Sequence, residues 1–216
     1  MRTNLIILLA LFCCTKLCAI AQNSEPRYLF FLHNRFLETH SINEAHPSFG
    51  RVEYKEILAQ FAQAGLTVIS EQRNGNVNAR EYAIGIVAQI DSLQKLGVPP
   101  GNVTVVGTSK GGYIAQYVST LAANEALNFV FIASHHPSDV EEIPEINYCG
   151  KVLSIYETSD AYAVSALPRK ESSTCNMGHF REIALHTGLR HGFLFKPLKE
   201  WMEPTIEWAR GNYQLK

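Results

Sequence analysis

Six short apolar runs recur along this chain, at 28–33, 66–70, 102–106, 128–133, 151–156 and 181–186. The first, Tyr-Leu-Phe-Phe-Leu-His, does not alternate apolar with polar, and such continuous runs mark strands buried on both faces of a sheet. Helical periodicity fills several of the gaps. Residues 52–64 place Tyr54, Ile57, Leu58 and Phe61 on one face and end at Gly65, a helix stop. Residues 79–96 repeat Tyr82, Ile86, Ile90 and Leu93 before Gly97 and Pro99-Pro100, and 197–210 closes the chain with Trp201, Ile206 and Trp208. Parallel strands require long crossovers, so this order predicts an α/β fold: a mostly parallel central sheet of about six strands with helices on both faces. Ligands bind such sheets at the carboxyl ends of the strands, and candidate functional residues are therefore those just after a strand.

One such place holds Val106-Gly107-Thr108-Ser109-Lys110-Gly111-Gly112. The β-branched run before it reads as a strand, and Tyr113, Ile114, Tyr117, Val118 and Leu121 after it recur at helical spacing. The run fits G-x-S-x-G, a sharp strand-to-helix turn that raises a serine on strained backbone and needs very small residues two before and two after it. Two further residues follow strands in the order acid, then histidine: Asp160 in Glu157-Thr158-Ser159-Asp160, and His191 in Leu189-Arg190-His191-Gly192. Glu157 and His186 are the alternatives for these two positions. A plain glycine-rich turn is the alternative for Ser109.

With Ser109, Asp160 and His191 in that chain order, the sequence resembles the α/β-hydrolase superfamily over essentially its whole length after residue 21. It lacks the one or two leading strands of larger members. The resemblance implies a serine hydrolase working through a Ser-His-Asp triad and an acyl-enzyme intermediate, on an ester, thioester or related acyl bond. A small-molecule substrate and no cofactor are expected, and no His-x-His or His-x-x-x-His pair accompanies a carboxylate at a spacing that suggests a metal. It implies that His191 moves the proton of Ser109 and that Asp160 orients the imidazole. It also implies an oxyanion hole made by the backbone N–H of Lys110 and one from the loop after the first strand. That loop often reads His-Gly-x; here it is His33-Asn34-Arg35, which makes Arg35 the expected donor, with Asn34 or Phe36 as alternatives. The rival functions are a non-catalytic binding protein on the same fold and an acyltransferase.

The first 21 residues have the make-up of a secretory signal peptide: Arg2, an apolar stretch over Leu5–Cys14, then Ala19-Ile20-Ala21. The apolar stretch is too short to span a bilayer, and Phe12, Cys13 and Leu17 are poor matches to lipoprotein processing. The expectation is a secreted or periplasmic protein with no stable membrane anchor, its residues 22–216 forming one domain. The 19 basic and 20 acidic residues nearly cancel, to −1, and offer no clustered basic surface for nucleic acid. Past the leader only Cys149 and Cys175 remain, candidates for one disulfide or for two separate buried thiols. The spacing from Asp160 to His191 leaves no room for a large lid, so the loops at 34–50 and 161–179 are the only covers. Several side chains at strand ends extend the candidate site. Phe36, Tyr113, Tyr162 and Phe193 are expected beside the serine, and Arg35, Arg73 or Arg190 could meet an anionic group. Glu71 and Arg73 are expected to pair, and His33, His135 and His136 to line the pocket or bond to loops.

Overall fold

A computed structural model describes residues 25–215; the expected signal peptide at 1–21 lies outside the described residues. The chain runs β1 (Tyr28–Leu32), a one-turn helix α1 (Phe36–Thr39), a small hairpin β2 (Ala45–His46) and β3 (Gly50–Arg51), α2 (Tyr54–Gln63), β4 (Thr67–Ile69) and α3 (Ala79–Lys95). It continues through β5 (Val103–Thr108), α4 (Lys110–Ala122), β6 (Asn128–Ile132), α5 (Asp139–Glu142), β7 (Lys151–Glu157), α6 (Leu167–Ser172), β8 (His179–Leu185) and α7 (Lys199–Ala209). Six strands form one sheet in the order β4-β1-β5-β6-β7-β8. Every pairing in it is parallel, as the six apolar runs predict. The long loop after β1 holds more structure than its polar sequence suggests, namely α1 and the antiparallel hairpin.

Successive side chains of a strand point to opposite faces, so each buried run feeds two cores. Leu29 and Phe31 face α2 and α7, where Ile57, Phe61, Trp201 and Trp208 complete one cluster with Val106, Val130 and Leu153. Phe30 and Leu32 face α3 and α4, where Ile86, Ile90, Ile114 and Val118 complete the other. Among the described residues no helix is long and apolar enough to cross a membrane.

The sheet order reverses beside β1. From β1 the chain goes outward to β4, then returns across β1 to start β5 and continues the other way. A crevice opens at such a reversal, between the loops that leave the two strands in opposite directions. Here those loops are the 33–51 segment and the turn at Ser109.

Candidate active site

Ser109 lies between β5 and α4 with φ 50° and ψ −120°, a left-handed backbone that a non-glycine residue adopts only under strain. The glycines explain how the chain turns so tightly. A Cβ on Gly107 would overlap the Gly111 carbonyl, one on Gly111 the Leu32 carbonyl, and one on Gly112 the Ser134 side chain. Without side chains, the start of α4 packs directly against the end of β1. The Ser109 N–H donates to the Ile132 carbonyl at 2.8 Å, which ties the turn to β6 as well.

Around this serine the structure brings together the other two residues expected from the sequence. Asp160 follows β7, its N–H bonded to the Glu157 carbonyl at 2.9 Å. Its Oδ1 accepts from the Tyr162 N–H at 2.9 Å, and its Oδ2 lies 2.6 Å from His191 Nδ1. The other imidazole nitrogen, Nε2, is 2.9 Å from Ser109 Oγ. A carboxylate can only accept, so the proton sits on Nδ1 and Nε2 is left to accept from the serine hydroxyl. This arrangement can take a proton from Ser109 and stabilise the imidazolium that results.

The alternatives occupy other positions. Glu157, fully buried, accepts from the N–H and hydroxyl of both Ser159 and Thr187, between 2.7 and 3.1 Å. Burial pushes its carboxyl up, but these bonds outweigh burial and hold it at about 2. It braces the loop of Asp160 against the loop of His191, a role the sequence reading did not assign. His186 follows β8, bonded to the Thr158 hydroxyl at 3.0 Å and exposed to solvent.

Arg35 precedes α1 with ordinary helical angles (φ −62°, ψ −31°), and Asn34 has no positive φ. Asparagine therefore replaces the usual glycine without backbone cost. Beside it, His33 is buried; its Nε2 accepts from the Arg73 N–H at 2.8 Å, so its Nδ1 carries the proton and donates to the Asn34 carbonyl at 2.7 Å. Burial, then the nearby Arg73 charge, holds this histidine near 3, neutral at any ordinary pH.

Arg73 departs from expectation. It is 3% exposed and its Nε donates to Glu38 at 2.9 Å, whereas Glu71 accepts from the Tyr82 hydroxyl instead. The expected Glu71–Arg73 pair does not form, and Arg73 is in no position to meet a ligand. The chain turns inward after β4, so the guanidinium fills space beneath α1. Phe193 is likewise corrected: it is fully buried in the α2–α7 core and does not flank the serine.

The open cleft above Ser109 has a volume of about 870 Å³. One wall is an aromatic cluster from the 34–51 segment and Phe195. Phe36 stacks on His40 at 4.1 Å, His46 on Phe49 at 4.6 Å, and Phe49 meets Phe195 at 5.5 Å. Tyr113 and Tyr162 line the cleft too, Tyr162 meeting the His191 ring edge-on at 5.5 Å, and Arg35 and Arg190 are exposed residues on its lining. Of the other histidines, His135 is buried near Asp139 and His136 bonds to Ser138, both outside the cleft lining. Among the described residues no group of three or more His, Cys, Asp or Glu could hold a metal ion.

No protein-family model matches the sequence, and no curated protein matches it significantly. Solved structures do. SOBER1 of Arabidopsis thaliana is 16% identical, with a TM-score of 0.55 over 87% of this chain and 99% of that one. An esterase of Pyrobaculum calidifontis is 17% identical, with a TM-score of 0.56 over 87% and 76%. Est1E of Butyrivibrio proteoclasticus, solved with ferulic acid bound, is 10% identical, with a TM-score of 0.53 over 86% and 92%. Likeness at this level of identity speaks of architecture, and together with the six parallel strands and the helices on both faces it establishes that this chain has the α/β-hydrolase fold.

Proposed function

We propose that this chain is a serine hydrolase that cleaves a carboxylic ester or related acyl bond through an acyl-enzyme. The observation that carries the reading is the unbroken run of hydrogen bonds from Asp160 through His191 to Ser109 at the base of an open cleft. In the reaction Ser109 Oγ attacks the acyl carbon while its proton passes to His191 Nε2. The tetrahedral oxyanion is held by the N–H groups of Lys110 and Arg35. As it collapses, the bond to the leaving group breaks and Nε2 returns the proton to the departing oxygen or sulfur. Water then repeats the two steps and frees the acid. The esterase and the ferulate-bound Est1E among the structural neighbours support an ester as the bond cleaved.

The cleft supports a compact substrate with a flat apolar part, because the rings of Phe36, Phe49 and Tyr162 offer faces and edges to stack on, with the buried Phe195 behind them. Arg35 and Arg190 on the lining support an anionic group on that substrate. The bond between Cys149 and Cys175, with Cα atoms 5.2 Å apart, supports export to an oxidising compartment.

Labelling with a fluorophosphonate probe tests the reading. Wild-type protein is expected to label and Ser109→Ala not to, and His191→Ala is expected to lose about 10⁴-fold or more in ester turnover, since such residues act as a unit. Labelling that survives in Ser109→Ala would refute the assignment. Arg35→Ala and Arg190→Ala are expected to shift the preference between neutral and acidic nitrophenyl esters. Product analysis with an added alcohol separates hydrolysis from acyl transfer.

A further inference from the structure

We infer that Glu38 is a positioning residue for the oxyanion hole, a buried anion that clamps together the two chain segments supplying its N–H donors; the inference rests on the serine-hydrolase reading above. Glu38 lies in α1 and is 3% exposed. One carboxylate oxygen accepts from Arg73 Nε at 2.9 Å, the other from Lys110 Nζ at 2.5 Å. The first donor segment is tied to it through the main chain, because the Glu38 N–H donates to the Arg35 carbonyl at 3.0 Å. The second is tied through the side chain of Lys110, the residue whose own N–H opens α4. Its Nζ also donates to Asn76 Oδ1 at 3.0 Å, and the Gly75 N–H donates to the Glu38 carbonyl at 2.8 Å, so the 73–76 turn closes the ring.

Three features indicate a role beyond holding the fold. The backbone N–H groups of Arg35 and Lys110 find no acceptor among the described residues, so both are free to bind an oxyanion. The direction of the Arg35 N–H is set by its own peptide group: His33 Nδ1–H binds the Asn34 carbonyl oxygen at 2.7 Å, and in a planar trans peptide the N–H points the opposite way from that oxygen. Arg73 holds the far side of the same imidazole through its N–H while its guanidinium holds Glu38. Finally, two cations surround one buried carboxylate, leaving net positive charge beside the place where negative charge develops. Apolar replacements of similar shape commonly stabilise as well as buried ion pairs do, so stability alone does not call for this arrangement. Fixed donor placement does, because a hole contributes to rate only if its donors are already aimed.

Glu38→Gln and Lys110→Met separate this from a purely structural role. The second keeps the Lys110 N–H and the buried Glu38–Arg73 pair, and decides the matter alone if Glu38→Gln fails to fold. Each variant is assayed on a nitrophenyl ester and on its thionoester, whose C=S group accepts hydrogen bonds poorly. Melting temperature serves as the control. The expected result is a loss of about 10-fold or more in kcat for the oxygen ester with KM within about twofold, and a comparable shrinkage of the oxygen-to-sulfur rate ratio. A folded Lys110→Met with kcat and that ratio unchanged would overturn the inference, as would a fall in kcat that leaves the ratio as in wild type. If turnover is absent from wild-type protein or persists in Ser109→Ala, the hydrolase reading itself fails, and this is seen before Glu38→Gln or Lys110→Met is assayed.

Discussion

His33 shows how one residue can make the whole fold sensitive to acid. Its ring is held neutral in the folded chain, near 3, mainly by burial, whereas an unfolded histidine takes a proton near 6.5. Between these values the unfolded state binds more protons than the folded one, so stability is full above about pH 6.5 and falls as pH drops, by up to about 1.4 kcal/mol per pH unit from this residue. His135, also lowered by burial, adds to the slope in the same direction. Glu157, held at about 2, contributes only further down, as pH falls below its ordinary range near 4.5. Urea unfolding between pH 7 and pH 5 therefore isolates the histidines. The His33→Gln variant is expected to show a visibly flatter loss of stability over that window, whatever its stability at pH 7. An unchanged slope would mean that His33 is charged in the folded protein.

At the level of elements, the turn from β5 into α4 stands on missing side chains. Gly111→Ala would drive a methyl group into the carbonyls of Leu32 and His33, backbone that cannot give way without shifting β1. A loss of about 3 kcal/mol or more is expected, measured by urea unfolding. Gly85, on the exposed side of α3 with open space around it, is the control: Gly85→Ala is expected to gain up to about 1 kcal/mol. The turn was legible in the sequence because its demand for glycine is local. The buried strands were legible for a similar reason, since all positions of β5 and β6 and all but the first of β1 are buried, and most of them are apolar. β8 is paired on one side only and mixes Arg181 and Glu182 among its apolar residues, and its reading began two residues late. The hairpin β2–β3 escaped altogether, because two residues per strand carry no period. Glu38, Arg73 and Lys110 were not legible as a group. They lie 35 and 72 residues apart, and only the sheet order brings them together. Arg73 misled for a related reason: a position just after a strand looks the same in sequence whether its side chain turns outward or under the neighbouring helix.

For the molecule as a whole, the Cys149–Cys175 bond spans 26 residues and links the segments leading into β7 and β8, the strands that carry Asp160 and lead to His191. Closing a loop of that size is worth about 3 to 4 kcal/mol through the unfolded chain. The double variant Cys149→Ser, Cys175→Ser is expected to melt roughly 10 °C lower in a thermal scan. Its turnover at room temperature should be preserved, because the bond lies at the opposite ends of these strands from the serine. The proposed reacting groups Ser109, Asp160 and His191 belong to the loops after β5, β7 and β8, while much of the facing aromatic wall hangs on the stretch between β1 and α2. That separation makes the wall a graft site: exchanging residues 41–51 for another turn should retarget the protein without retuning its chemistry. One seam restricts such transplants. The Phe49 ring presses on Gly192, where a Cβ would come within 2.9 Å of it, so any incoming tip must bring a ring or a smaller filler to that spot or the histidine beside it loses its backing.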